Sequence, residues 1–503
     1  MNLFHKFENV VNLIPLKTAV TCDGVKVTYK ELLEKIVDFS HKLLSAGIKK
    51  GERVCVILAN GIDYIVSYYG TIAAGCIVVP VNIALKKDEI AVIVNDCSAK
   101  TIVLSRENKE LSTDLAIRCK LLNTCIVDGD VIKIKSIDTK DIDENDDKKG
   151  KLDDIAAILY TSGTTGYVKG VMLSHDNLIS NALNYSKAIE TDGKDVHLCI
   201  LPLSHSFAAT VCMNMPLLTG SSLVVAKGFS SLAIGRICSE NEVSVVSAVP
   251  GIFAIMASSE HVFADDFKKV KTWISGGAAL SEKIFEKFES KFKCRIQEGY
   301  GLTEASPVLC VNRKDNVKKG TVGPAIPGVE IDIVDENFKS VSTGEIGQVL
   351  ATGTGIMKGY YNFSEDISCP KREGWICTGD VGKLDNDGHL YLIDRIKDMI
   401  NVSGLKVYPK EVENTLLEHP CIKNAIVVGV PDILRGEQVA AQIVLKGDAD
   451  VEPDDIKRFC RERLAGYKVP RYIQKVDEIK LSSTGKPMRN VISKGFIEDL
   501  SNL

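Results

Sequence analysis

Cysteine pairs at metal-ligand spacing are missing from the 503 residues: the fifteen cysteines are scattered, with no Cys-x-x-Cys and no Cys/His cluster. That excludes a zinc-finger-type structural site. It leaves the thiols as small core residues, as expected of a protein in a reducing cytoplasm. An excess of positive charge is also lacking, with 62 Lys and Arg against 66 Asp and Glu and a net charge of −4. Nucleic acid is therefore excluded as an expected partner, and any anionic ligand has to be met by local groups. Residues 1–8 are mixed and charged and do not read as a secretory signal. No continuous membrane span is expected either. The charge-free stretch 64–85 is broken by Gly70, Gly75, Pro80 and Asn82. Its pattern changes midway from a buried helix over 64–74 to a buried strand over 76–81.

What is present begins with size. A chain of 503 residues exceeds what one core can serve, so at least two domains are expected. The densest chemistry lies in Leu159-Tyr160-Thr161-Ser162-Gly163-Thr164-Thr165-Gly166-Tyr167-Val168-Lys169-Gly170, after the apolar run 155–158. Its three glycines let backbone approach an anion, its four Ser/Thr hydroxyls can donate to one, and Lys169 adds a positive charge. This composition suits a phosphate cradle. It is not the Walker pattern, since Gly163 and Gly166 stand too close together and Lys169 is followed by Gly170.

Up to about residue 150 the chain alternates between helical and strand patterns, as parallel α/β layers do. Thr28 and Glu31 have capping-box spacing for a helix through about Ala46, and Ser174 has N-cap character for one through about Ile189. Leu201-Pro202-Leu203-Ser204-His205-Ser206-Phe207 is a bend that projects a histidine, and on its own it carries no assignment. Strands over 243–249 and 270–274 end in turns. The turn Ser275-Gly276-Gly277-Ala278 is a site candidate, because ligands collect at the carboxyl ends of strands in open α/β sheets. In Gln297-Glu298-Gly299-Tyr300-Gly301-Leu302-Thr303-Glu304 an aromatic ring is followed by a hydroxyl and a carboxylate, a set suited to stacking a planar base and holding a hard cation such as Mg²⁺.

From about Gly323 the texture turns to short strands with glycine turns. Asp380 can accept bonds from both hydroxyls of a ribose, and Arg395 offers a flat fork to a phosphate. The last hundred or so residues read as an α+β domain, with a helix from Pro409 and strands over 426–430 and 439–445. Near its end Lys486 sits in a polar stretch, Leu481-Ser482-Ser483-Thr484-Gly485-Lys486.

Taken in order, these stretches resemble the adenylate-forming superfamily, in particular the AMP-forming acyl- and aryl-CoA synthetases. The resemblance rests on Tyr160-Thr161-Ser162-Gly163-Thr164-Thr165-Gly166-x-x-Lys169-Gly170, Tyr300-Gly301-Leu302-Thr303-Glu304 and Thr378-Gly379-Asp380. It continues through Asp394-Arg395-Ile396-Lys397-Asp398, Ser403-Gly404-Leu405-Lys406-Val407-Tyr408-Pro409 and Thr484-Gly485-Lys486. One departure is Val168, where the family usually has proline.

The resemblance implies an α/β fold: a large N-terminal domain of layered αβ subdomains with a small β-rich subdomain, followed by a small mobile α+β domain. Its implied bounds are an adenylation domain over 1–394, a hinge over 395–398 centred on Lys397, and a C-terminal domain over 399–503. It implies a carboxylic acid, ATP, Mg²⁺ and CoA, or the phosphopantetheine of a carrier protein, as reactants and cofactors. Thr161, Ser162, Gly163, Thr164, Thr165, Gly166 and Lys169 would hold the β- and γ-phosphates, and Glu304 with Thr303 would face Mg²⁺ and phosphate. Tyr300 would stack on adenine beside Gly277 and Ala278, with Gly301 also among the ATP-binding residues, Asp380 would bind ribose, Arg395 would steady the ribose and phosphate, and Lys486 would contact the carboxylate and α-phosphate. His205, Gly276, Gly301, Ala305 and Ser306 would line the acyl pocket, and Ser403, Gly404 and Lys406 the thiol channel. Amino-acid-activating relatives place an acid near His205. The stretch 204–209 has none, which favours an unaminated acid, and the surroundings of Glu304 look most like those of fatty-acid members.

Overall fold

The computed structural model describes residues 2–133, 152, 154–162, 168–362, 367–403, 405–432, 434–447, 449–481 and 487–501. It divides into two compact units, Met1–Ile331 with Ala351–Ile376, and Asp332–Leu350 with Cys377–Leu503. The architecture is the expected α/β one, with layered sheets in the first unit and an α+β arrangement in the second.

Among the described residues the first unit holds two eight-stranded sheets. In one, the strands Ile296–Gly301, Thr272–Ser275, Val245–Ala248, Val196–Cys199, Ser222–Val225 and Thr18–Cys22 run parallel, closed at each edge by an antiparallel strand. In the other, Ile155–Ser162, Ile77–Pro80, Arg53–Ile57, Thr101–Leu104 and Thr124–Val127 are parallel. Val168–Ser174 returns antiparallel to Ile155–Ser162, and Tyr360–Tyr361 pairs beyond it.

Local chemistry accounts for the elements. The Thr28 side chain accepts the Glu31 N–H while the Glu31 carboxylate accepts the Thr28 N–H, closing the capping box that starts helix Tyr29–Ser45. Ser174 caps helix His175–Ala188 in the same reciprocal way with Asn177. The charge-free stretch resolves into helix Ile62–Ala73 and strand Ile77–Pro80, both buried. Helix Ile62–Ala73 is apolar nearly all round, as a helix inside a large core must be, and the Tyr69 hydroxyl donates to Asn214 Oδ1 at 3.0 Å. No helix among the described residues is long and apolar enough to cross a membrane. All fifteen cysteines are free and most are buried.

Among the described residues, most of a four-stranded sheet formed by Val329–Val334, Gly347–Gly353, Ile376–Leu384 and Leu390–Arg395 belongs to the second unit. Its α+β part has a five-stranded sheet built on the long hairpin Ile422–Asp432 and Gly436–Leu445, with helix Pro409–Leu417 packed on it. That helix begins with proline at its first position, where the missing N–H costs nothing.

Candidate active site

In the first unit the candidate residues gather at the carboxyl ends of the parallel strands. Strand Thr272–Ser275 delivers Gly276, Gly277 and Ala278, and strand Ile296–Gly301 delivers Tyr300 and Gly301. The 3-10 turn Thr303–Ala305 then presents Glu304. Gly301 is required by close backbone approach, because a Cβ there would collide with the Pro307 carbonyl. Ala305 and Ser306 are buried in that turn. The Asn181 side chain clasps the turn from helix His175–Ala188, donating to the Ala305 and Val308 carbonyls at 3.1 and 2.8 Å and accepting the Val308 N–H at 3.1 Å. The Thr210 hydroxyl donates to the Ser306 carbonyl at 3.0 Å, and the Met357 N–H to the Glu304 carbonyl at 2.9 Å.

Lys169 lies on strand Val168–Ser174 opposite Thr161, with little exposure. Its ammonium stands 5.4 Å from the centroid of the Tyr360 ring, and the Tyr360 hydroxyl donates to Glu304 Oε1 at 2.8 Å. Lys169, the candidate phosphate ligand, and Glu304, the candidate cation ligand, are thus joined through one tyrosine. The Glu304 carboxylate, half-buried and of hard oxygen character, fits a cation such as Mg²⁺. Gly163, Thr164, Thr165 and Gly166 lie outside the described residues, as does the Ser162 side chain.

His205 is exposed and caps the short helix Ser206–Ala208, its Nδ1 accepting the Phe207 N–H at 3.2 Å. The bend runs on into a π-helical segment, Ala209–Asn214, a form that often marks a functional site. The Phe207 ring packs on Gly276, where a Cβ would come within 2.8 Å of Cζ. Gly276 therefore makes room for the Phe207 ring, which follows His205 closely in the chain. Ser206 Oγ is 3.0 Å from Thr303 Oγ1, tying the His205 segment to the Glu304 turn.

Glu298 went unassigned by sequence because an alternating strand pattern does not reveal how deeply each carboxylate is buried. It is 9% exposed, and Oε2 accepts the Leu280 N–H at 3.3 Å, beside the glycine turn. Burial pushes its carboxyl up to about 7, and the Leu280 bond offsets part of that. With the folded pKa above the unfolded value, its stabilising contribution is complete below about pH 4.5 and disappears as pH rises through 7. Glu298→Gln removes this dependence while keeping an acceptor for Leu280. Urea unfolding across pH 4–9 should show the parent losing up to about 3 kcal/mol relative to the variant between pH 4.5 and 8. Parallel curves would contradict the assignment.

In the second unit Asp380 and Arg395 are cross-strand partners, and Arg395 Nε donates to Asp380 Oδ1 at 3.0 Å. Asp380 is 6% exposed. Lys397 falls in the 3-10 turn Ile396–Asp398. Ser403 has a left-handed backbone, and its N–H donates to the Arg435 carbonyl at 2.8 Å. Lys406 pairs with Glu336. Gly404 and Lys486 lie outside the described residues.

The chain matches a family model described as AMP-binding enzyme over residues 7–361 and one described as AMP-binding enzyme C-terminal domain over 411–486. It is 32% identical over 510 residues to a long-chain-fatty-acid-CoA ligase of Bacillus subtilis (strain 168), covering 94% of this chain and 91% of that one. It is 30% identical to a feruloyl-CoA synthase of Amycolatopsis sp, covering 96% of each. Among solved structures, ATP-bound MatB from Rhodopseudomonas palustris superposes with a TM-score of 0.88 at 28% identity over 98% of both chains. The o-succinylbenzoate CoA synthetase MenE of Bacillus subtilis shares the fold, with a TM-score of 0.83 at 24% identity over 97% of each.

Proposed function

Since the chain belongs to the AMP-binding enzymes of the adenylate-forming superfamily and is an AMP-forming acid:thiol ligase, we propose that its acid is a medium- or long-chain fatty acid and its thiol CoA. The observation that carries this reading is the Phe207 ring on Gly276, an apolar wall beside a His205 segment that contains no acidic residue. The fatty-acid ligase of Bacillus subtilis at 32% identity supports it. An aryl acid is the second reading, favoured by the feruloyl-CoA synthase at 30% identity.

In the proposed first step a carboxylate oxygen attacks the α-phosphorus of ATP, and pyrophosphate leaves. Negative charge builds on the transferring phosphoryl group, so cations and directed donors have to surround it. Lys169 with Thr161, Ser162, Gly163, Thr164, Thr165 and Gly166 holds the β- and γ-phosphates, and Lys486 bridges carboxylate and α-phosphate. Glu304 would hold Mg²⁺, which supplies neutralisation of phosphate charge when bound. Tyr300 receives adenine beside Gly277 and Ala278, Asp380 binds the ribose, and Arg395 steadies the ribose and phosphate.

In the second step the thiol attacks the acyl carbonyl and AMP leaves. Lys486 then has to give way to the Ser403-Gly404-Leu405-Lys406 loop, an exchange assigned to a turn about Lys397, with 399–503 as the moving domain. The proposed location of the reaction is the cytoplasm, a reading supported by the free thiols, which a reducing compartment keeps reduced.

The test is a panel of fatty, benzoic and cinnamic acids with ATP, Mg²⁺ and CoA, read by mass spectrometry, with carrier proteins in competition for the acyl group. Fatty acyl-CoA is the expected main product. Adenylates without CoA thioesters, or thioesters of aryl acids alone, would overturn the reading.

A further inference from the structure

Glu304 stands on a turn whose backbone is already fixed. Asn181 holds it through the Ala305 carbonyl and both backbone groups of Val308, Thr210 through Ser306, and Met357 through the Glu304 carbonyl. None of these bonds orients the carboxylate itself. Among the described residues the Tyr360 hydroxyl does that, at 2.8 Å from Oε1, while leaving Oε2 for a ligand.

Tyr360 is itself tightly placed. It pairs antiparallel with Val171 on the strand that carries Lys169, with Tyr361 opposite Gly170. Two further backbone bonds fasten the segment, Met172 N–H to the Gly359 carbonyl at 3.0 Å and Lys358 N–H to the Met172 carbonyl at 2.9 Å. From that position the ring meets the Lys169 ammonium at 5.4 Å from its centroid while the hydroxyl reaches 56 residues back to Glu304. A phenol has two separable handles. Its face attracts a cation, and its O–H orients an anion.

We propose that Tyr360 is a positioning residue that sets the spacing of the two charged groups flanking the ATP phosphates, its hydroxyl aiming Glu304 at the divalent cation and its ring holding Lys169 at the phosphates. The proposal rests on the reading of Glu304 as cation ligand and Lys169 as phosphate ligand. Partners that orient a metal ligand through a hydrogen bond typically carry 10–100-fold in metal affinity. A ring face under an ammonium adds a smaller, separate contribution to the cation's placement.

Because the handles separate chemically, two substitutions test them. Tyr360→Phe keeps the ring and deletes the hydroxyl, and Tyr360→Leu deletes both. The full-length protein is titrated with Mn²⁺ in the presence of α,β-methylene-ATP and read by electron paramagnetic resonance. Nucleotide affinity without metal is measured separately by calorimetry.

Tyr360→Phe should weaken Mn²⁺ binding by about 10–100-fold and leave metal-free nucleotide affinity within about twofold of the parent. Tyr360→Leu should lose the same metal affinity and, in addition, several-fold in metal-free nucleotide affinity, about what one cation–π contact supports. Parent-like Mn²⁺ affinity in Tyr360→Phe overturns the proposal, and so does identical behaviour of the two variants. If Tyr360→Leu fails to fold, Tyr360→Phe decides alone. A parent protein that takes up no Mn²⁺ with the nucleotide would instead overturn the reading of Glu304, and the proposal with it.

Discussion

Replacing Lys486 with alanine is expected to slow acid-dependent adenylation by about 10²–10⁴-fold, the range for losing one main group that stabilises developing charge. Thioester formation from preformed acyl-adenylate should stay near the parent rate. The asymmetry follows from charge. In the first step a carboxylate approaches a polyanion, and a compact ammonium between them lowers the repulsion directly. In the second step the phosphate is already esterified and the thiol has to reach the carbonyl, so the same ammonium is no longer needed there. Pyrophosphate–ATP exchange reads the first half-reaction, and release of AMP from synthetic acyl-adenylate with CoA reads the second. Equal damage to both would contradict the division of labour between Lys486 and the 403–406 loop.

Arg489→Met is expected to destabilise the second unit by about 3–5 kcal/mol, the usual result of stripping one partner from a buried ion pair. Arg489 opens the last helix, three residues beyond Lys486. Its Nη2 lies 2.7 Å from Glu413 Oε1, its Nε 3.7 Å from Asp398 Oδ2, and it also donates to the Val427 carbonyl. Glu413 is 3% exposed, and burial pushes its carboxyl up despite Arg489 and Lys410 nearby. Without Arg489, the partners left to the Glu413 charge among the described residues are the Val427 N–H at 3.0 Å and Lys410 at 3.7 Å. The deficit should therefore be largest at alkaline pH and shrink as Glu413 protonates on acidification. Adding Glu413→Gln to Arg489→Met should recover much of the loss, because no buried charge is then left unpaired. Denaturant unfolding of the full chain monitors all three proteins. A loss below about 1 kcal/mol, or no recovery in the double variant, would show the pair to be structurally idle.

Elements fixed by near neighbours were legible in the sequence. The Thr28–Glu31 capping box and the Ser174 N-cap act within one turn, and the helix-to-strand change within the charge-free stretch is a change of local period. The Ser275–Ala278 turn was legible because a strand ending in glycines has few alternatives. Contacts set by sheet order were not. The Asp380–Arg395 pair depends on a hairpin register with an irregularity between Val381 and Gly382, which no motif encodes. The resemblance puts Asp380 at the ribose and Arg395 at the ribose and phosphate, and the structure adds the hydrogen bond between their two side chains. The ring of Phe207 on Gly276, and Tyr360 between Lys169 and Glu304, bring together residues far apart in the chain.

The most direct test of acid activation through an acyl-adenylate is the fate of isotopic oxygen. With a fatty acid carrying ¹⁸O in both carboxylate positions, attack on the α-phosphorus places one labelled oxygen in the bridge to AMP, and the thiol then expels that oxygen with AMP. One ¹⁸O in AMP, one in the thioester carbonyl and none in pyrophosphate is the predicted result by mass spectrometry. Unlabelled AMP, or label appearing in inorganic phosphate alongside ADP, would contradict it.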